Sequence, residues 1–490
     1  MTTLTFDSVN PATGEVVGSH PKQSADAVRE AVGRAEQAAT WWAGLAPAER
    51  RRRLLDYKAV LTQHLKELAG LVHDETGKPV GDATLEIVLA ITHLDWAARN
   101  AAKVLGRRRV STGMIGLNLA ATLEYLPLGV VGVIGPWNYP VFTPMGSIAY
   151  ALAAGNAVVF KPSELTPGVG VRLAELFAES VPEQPVFQTV TGLGETGALL
   201  AKDPRVKKVA FTGSTATAKR VMAACAENLT PIVAECGGKD AFIVDADADL
   251  KAAADACLWG AMSNAGQTCV GVERVYVVDA VYETFMRELS DRVATVKAGQ
   301  DYGPITMPGQ LDIIRRHIDD ATKSGKVVTG GPDSVRAPYV DPVIVEDVPE
   351  DSPAVREETF GPTITVRRTR DARQALELAN ASAYGLAGTV FSGNTRRAME
   401  LARLMRTGMT AVNSVISFAG VPALPFGGVG DSGFGRIHGA DGLREFARPK
   451  AISRQRFVMP GMNLTSFSRG PAELERLIRL VTILHGRRKR

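Results

Sequence analysis

At 490 residues, with 45% hydrophobic and 22% charged side chains, the chain can bury a large core and should divide into two or more domains. A formal net charge of +4 is mild for this length and gives no warrant for nucleic-acid binding. Four cysteines without CxxC spacing (Cys225, Cys236, Cys257, Cys269) and no apolar N-terminal signal segment point to a reducing, cytoplasmic setting, and no metal site is expected.

Residues 6–17, with Asn10-Pro11 and Thr13-Gly14, read as a short hairpin or arm. From Ser24 the helical period takes over. Ala-rich stretches at 26–42, 46–76 and 82–104 place apolar residues three and four apart and predict a helical layer. Two strand-like runs follow, 113–124 and 130–134. No charged residue lies between Glu124 and Lys161. A membrane span is nevertheless disfavoured, because Pro127, Pro136, Pro140 and Pro144, with Gly129, Gly132, Gly135 and Asn138, would leave backbone groups unsatisfied in lipid.

The pattern then becomes strand, turn, helix, repeated: AVVFKPSE before a helix at 169–180, VFQTVTG before 196–202, KKVAFTGS before 215–228. Such alternation predicts a mostly parallel sheet covered by helices, an architecture that binds nucleotides. A second set starts at Ile232, with strand-like PIVAE and AFIVD, a helix at 250–263, RVYVV and a helix at 282–297. It predicts a second α/β domain.

Several motifs have two readings on residues alone. A GxGxxG at Gly192, Gly194 and Gly197 stands between strand and helix, yet Phe211, Thr212 and Gly213 occupy the region where a ribose-binding acid is expected. FTGSTATAK ends a strand and opens a helix at Ser214, which suits a phosphate or a plain helix cap. Lys161 and Glu164 of KPSE bracket a ribose or decorate the surface. Glu235, before two glycines, is a carboxylate that a ligand can approach or a solvated strand-end acid. Cys269 in NAGQTCVGVERV is a nucleophile or a small buried hydrophobe.

In order along the chain, IGPWNYP (134–140), KPSE (161–164), FTGS (211–214), ECGGK (235–239), NAGQTC (264–269), EETFGP (357–362) and PFGGVGDSGFGR (425–436) resemble the NAD(P)-dependent aldehyde dehydrogenase superfamily. The resemblance implies an α/β fold with a Rossmann-type cofactor domain (1–106 and 128–236), an α/β catalytic domain (237–445) and a small oligomerisation hairpin (107–127 and 446–459), assembled as a homodimer or homotetramer. It implies that Cys269 attacks an aldehyde, that the Asn138 side-chain amide and the Cys269 N–H hold the oxyanion, and that Glu235 is the general base. It assigns Lys161, Ser163 and Glu164 to the adenosine ribose end, Ile134, Pro136, Trp137, Gly194, Phe211, Gly213, Ser214 and Thr217 to the rest of the dinucleotide, and Glu358 with Phe360 to the nicotinamide. Glu164 favours NAD by repelling a 2′-phosphate, while Lys161 beside it keeps NADP open. A coenzyme A-acylating relative is disfavoured by the presence of Glu235, and a non-enzymatic relative by the retention of Cys269, Glu235 and Asn138 together.

Two departures stand out. Cys236 replaces the leucine usual in ELGG and is expected close enough to Cys269 for a redox role, or else is a small filler; Ile437 occupies a position where many members carry glutamate. GRIHG is similar to the branch that includes fatty and class 3 enzymes, which favours hydrophobic aldehydes, whereas GGKDAFIV and CVGVERVYV are similar to semialdehyde-oxidising relatives. Tyr139, Phe142, Thr268, Val270 and Phe426 are expected to line the substrate tunnel. The tail at 460–490, with Leu474, Leu477, Ile478, Val481 and Leu484 at helical spacing and Arg487-Arg488-Lys489-Arg490 last, is basic and amphipathic; it suits the enzyme's own surface, a subunit contact or peripheral contact with an anionic membrane.

Overall fold

The computed structural model describes residues 4–459 and 466–486. The chain divides into a larger unit, made of the residues up to Val104 and Pro127–Ala447, and a smaller one, made of Leu105–Leu126 and the residues from Arg448 on. The N-terminal arm is an antiparallel hairpin of β1 (Thr5–Val9) and β2 (Val16–Pro21). A layer of α1 (Ala25–Gly44), α2 (Pro47–Gln63), α3 (Leu65–Thr76) and α4 (Val80–Leu105) follows. Ser24 starts α1 by accepting from Ala27 N, and the single helical stretch predicted at 46–76 breaks at His64, which leaves helical geometry at the end of α2.

In the smaller unit, β3 (Arg108–Val110) and β4 (Leu119–Pro127) pair antiparallel and the strand Ala447–Gln455 completes a three-stranded sheet. The run predicted from 113 becomes extended only at Leu119, because Gly113 takes a left-handed turn conformation with φ 64°. The C-terminal helix Pro471–His485 has no buried residue, and the basic residues 487–490 lie outside the described residues.

The first sheet of the larger unit is built from β5 (Val130–Ile134), α5 (Phe142–Ala153), β6 (Ala157–Lys161), α6 (Pro167–Ser180), β7 (Phe187–Thr189), α7 (Gly194–Lys202), β8 (Val206–Gly213), α8 (Thr215–Ala226) and β9 (Ile232–Cys236). The strand order is β9-β8-β5-β6-β7, with the short strand Gly433–Phe434 antiparallel on the outer edge of β9. The order of strand addition therefore reverses between the parallel neighbours β5 and β8, and the carboxyl ends of those strands are where a ligand crevice forms in such a sheet. PIVAE, grouped by the strand pattern with the second set but inside the 128–236 bounds that the resemblance implies, closes this sheet, pairing parallel with β8. A short apolar strand reads alike in either sheet; the short link from α8 returns it beside β8 as a compact crossover unit.

The second sheet has β10 (Asp240–Val244) and β11 (Val272–Val278) at its centre, joined through α9 (Leu250–Met262), with α10 (Tyr282–Val293) after β11. Four further parallel strands and one antiparallel edge, Lys326–Thr329, complete seven. Its core joins Phe242, Val275, Val277, Ile344 and Val366 to Cys257, Leu258, Phe285 and Leu289 from the helices. These strands are buried on both faces, which is why RVYVV and AFIVD read as continuous apolar runs. Among the described residues no helix is long and apolar enough to cross a membrane.

Candidate active site

The loop after α9 carries Cys269. Asn264, Ala265 and Gly266 are successively left-handed (φ 53°, 56° and 70°), and a Cβ on Gly266 would stand 2.1 Å from the Gly361 carbonyl oxygen. Only glycine meets both demands. Gln267 fixes the loop with its whole amide: Nε2 donates to Asn264 O (2.9 Å) and Pro304 O (3.1 Å), and Oε1 accepts from Thr306 N (2.8 Å). Cys269 is the sole cysteine of the four that is not buried, and all four are free.

Glu235, on β9, has Oε1 3.8 Å from the Cys269 Sγ, and Thr212 Oγ1 donates to its other oxygen at 3.4 Å. Burial pushes its carboxyl up to about 7, so it can take or release a proton near neutrality. The Cys269 thiol is driven well above its ordinary value, first by burial and then by the charges of Glu235, Glu358 and Asp240. The resting sulfur is therefore a thiol that needs a base.

Asn138 sits between β5 and α5, with Nδ2 donating to Gln267 O at 3.0 Å. An amide nitrogen has two hydrogens, so one remains for a second acceptor. Glu358 packs against the glycine pair that follows Cys236, accepting from Gly238 N at 3.0 Å, and desolvation of its carboxyl pushes it up to about 8. A Cβ on Gly237 would lie 2.0 Å from that carboxylate, which accounts for the glycine. Phe360 is left-handed (φ 52°) and meets Trp137 edge-on at 5.6 Å. Sequence reasoning missed what holds this segment: the Glu273 carboxylate accepts from Thr359 N and Phe360 N and pairs with buried Lys239.

The carboxyl ends of β5, β6 and β8 gather the other expected cofactor residues. Ile134 pairs with Lys161 on one side and Phe211 on the other. Lys161 Nζ contacts Glu164 at 3.0 Å, Ser163 Oγ accepts from Leu165 N, and Pro136 precedes Trp137 in the loop that continues β5. Ser214 caps α8 by accepting from Thr217 N at 3.3 Å, just after Gly213, and Gly194 opens α7 with empty space where a Cβ would be. Uncapped amides, glycine backbone and a hydroxyl at helix starts suit a dinucleotide's phosphates, and the Lys161–Glu164 pair suits ribose hydroxyls. Successive residues on a strand face opposite ways, so Glu235 turns to Cys269 while the Cys236 thiol engages Thr215 on α8.

A cavity opens onto Cys269 and Glu235. Tyr139, Phe142, Thr268, Val270 and Phe426 line it, and the Tyr139 hydroxyl bonds Thr268 Oγ1 at 2.9 Å. Leu85, Leu89, Trp259, Ile416, Ile437 and His438 also line it and were not foreseen. Leu85 and Leu89 are four apart on α4, a spacing legible as one face but silent about what that face meets. Ile437, where a carboxylate is usual, exposes a hydrocarbon wall to the cavity. His438 packs on His93 with ring centroids 3.9 Å apart, and burial holds both imidazoles neutral.

This geometry, a buried base facing a cysteine, an amide bonded to the cysteine's loop and strand ends suited to a dinucleotide, has counterparts. The family model described as "Aldehyde dehydrogenase family" matches residues 2–452. A 4,4'-diapolycopene aldehyde oxidase of Methylomonas sp is 38% identical over 462 residues, 93% of this chain and 87% of its own. A glutarate-semialdehyde dehydrogenase of Pseudomonas aeruginosa is 34% identical over 452 residues, 90% of this chain and 92% of its own. The crystal structure of an NAD-dependent aldehyde dehydrogenase from Sinorhizobium meliloti superposes with a TM-score of 0.88 at 34% identity, covering 93% of this chain and 92% of that one. The chain belongs to the aldehyde dehydrogenase family. It is an oxidoreductase of aldehydes in a family that uses NAD(P).

Proposed function

We propose that the protein oxidises a hydrophobic aldehyde to its carboxylate. The observation that carries this reading is the cavity wall: Leu85, Leu89, Phe142, Trp259, Ile416 and Phe426 are apolar, and the one lysine among the described lining residues, Lys78, already pairs with Glu86 at 2.8 Å. Among the described residues no arginine lines it. A carboxylated semialdehyde entering such a cavity would leave its charge unpaired.

In this reading Glu235 takes the Cys269 proton, the thiolate forms a C–S bond to the carbonyl carbon, and the second Asn138 amide hydrogen with the Cys269 N–H receives the oxyanion. When bound, the nicotinamide dinucleotide supplies the hydride acceptor that turns the thiohemiacetal into a thioester. Glu235, once it has passed that first proton to solvent, takes a proton from water as the water oxygen adds to the thioester carbon; the C–S bond breaks, the departing Cys269 sulfur is reprotonated from Glu235, and the acid leaves. The retained base speaks for water rather than coenzyme A as acceptor, and Glu164 beside Lys161 favours NAD. Measurement of kcat/KM across aliphatic, aromatic and carboxylated aldehydes, each with NAD and with NADP, tests all of this. A preference for carboxylated aldehydes would overturn it.

The same reading takes the chain as a cytoplasmic homodimer or homotetramer, the exposed strand Ala447–Gln455 and its sheet serving assembly. The C-terminal helix has Leu474, Ile478 and Val481 exposed, and with the basic residues after it this speaks for peripheral contact with an anionic membrane. Flotation with phosphatidylglycerol vesicles, with and without 470–490, tests that contact.

A further inference from the structure

Lys78 and Glu86 form a buried ion pair that the reaction above does not use. Lys78 is 1% exposed and Glu86 2%. Removing two charges from water is costly, and a buried pair is weak evidence for stability by itself. What the pair holds is therefore informative. Lys78 Nζ donates to the Asn138 carbonyl oxygen at 2.6 Å as well as to Glu86, and lies 4.2 Å from the Tyr139 ring centre. The other Glu86 oxygen accepts from Val141 N (2.7 Å) and Phe142 N (3.1 Å), at the start of α5, where no side chain of the helix's own supplies a cap. The loop Asn138 to Phe142 is thus gripped at both ends by one ion pair.

The turn that carries Lys78 also reaches the nucleophile loop. Thr306 Oγ1 donates to Thr76 O at 2.9 Å, while Thr306 N donates to Gln267 Oε1 at 2.8 Å, two residues before Cys269. Gly77 is left-handed (φ 73°) and packed so tightly that a Cβ would lie 2.5 Å from Pro304, whose carbonyl accepts from Gln267 Nε2. Asn264 Nδ2 joins the two loops directly by donating to Asn138 O at 3.2 Å. One turn is the common reference for both loops.

We infer that Lys78 and Glu86 are positioning residues for the oxyanion amide: through the Asn138 carbonyl and the first amides of α5 they set where the Asn138 side chain stands relative to Cys269. The inference rests on the roles proposed above for Asn138 and Cys269. A displacement of an ångström at a reacting centre costs up to about a hundredfold in rate, so the grip has a kinetic value that its stability does not express.

The test uses the full chain and p-nitrophenyl acetate, whose hydrolysis needs a nucleophile and an oxyanion site but no knowledge of the natural aldehyde. Lys78→Met is expected to lower kcat about 10- to 100-fold with KM nearly unchanged, and Lys78→Arg to restore part of the loss. The paired Lys78→Met, Glu86→Gln variant strands no buried charge, so it guards against misfolding and is expected to show the same kinetic loss. In an Asn138→Ala background Lys78→Met is expected to cost less than about twofold, since no amide is left to misplace. An equal cost in both backgrounds, or a lowered Tm with unchanged kcat, overturns the inference alone. Hydrolysis that survives Cys269→Ala overturns the nucleophile assignment and this inference with it.

Discussion

The cavity has two ends that differ in kind. At the reacting end Cys269, Glu235, Asn138 and Glu358 are each held by hydrogen bonds, and the segments around them contain glycines whose replacement would strike an atom closer than 3 Å. Along the outer wall Leu85, Leu89, Trp259 and Ile416 come from separated parts of the chain and touch the cavity only by packing. The first kind of surface is specified by hydrogen bonds and backbone geometry, the second by shape. Chemistry and substrate choice therefore respond to different mutations.

The strongest way to break this contrast is Cys269→Ala, expected to abolish NADH formation with every aldehyde, by about 10⁴-fold or more. Asn138→Ala is expected to lower kcat about 10²- to 10³-fold through the lost oxyanion donor, which steady-state kinetics would read as a kcat effect with little change in KM. Glu235→Gln sharpens the contrast through pH. Burial raises the Glu235 carboxyl to about 7, and the base works only when deprotonated, so wild-type kcat/KM should rise as pH climbs through about 7. The variant should lose that rising limb along with most of its activity. At the outer wall Leu89→Arg is expected to leave chemistry intact but to move selectivity about tenfold toward carboxylated aldehydes, measured as a ratio of kcat/KM values. The smallest effect is expected from deleting the C-terminal helix: since none of its residues is buried, Tm and kcat on a water-soluble aldehyde should stay as in the full chain, while vesicle binding is lost.

What could be read before the structure follows the same division. Cys269, Glu235 and Asn138 stand in short motifs because the backbone around them is special, and special backbone leaves glycine, asparagine and proline in the sequence. The alternation of strands and helices was legible for the same local reason, apolar runs between turns. The strand pattern alone grouped PIVAE with the second sheet, because pairing is decided by neighbours distant in sequence and an apolar run carries no record of them, whereas the bounds implied by the resemblance kept it with the first. Glu273 and Lys78 escaped notice because an isolated acid or lysine looks like solvated charge until its partners Lys239 and Glu86 are brought against it. His438 was visible only as a motif letter. Its stacking on His93 joins residues at opposite ends of the larger unit's sequence.

The left-handed run Asn264, Ala265, Gly266 bears on how this protein can change over generations. At Gly266 a methyl group would overlap a carbonyl oxygen of Gly361, so that position has an alphabet of one letter, and the nucleophile's presentation is inherited whole or lost. No such constraint falls on Leu85 or Leu89, where one side chain can replace another at the cost of a packing adjustment. A lineage can therefore revise which aldehyde it accepts many times over while the attack on it stays the same.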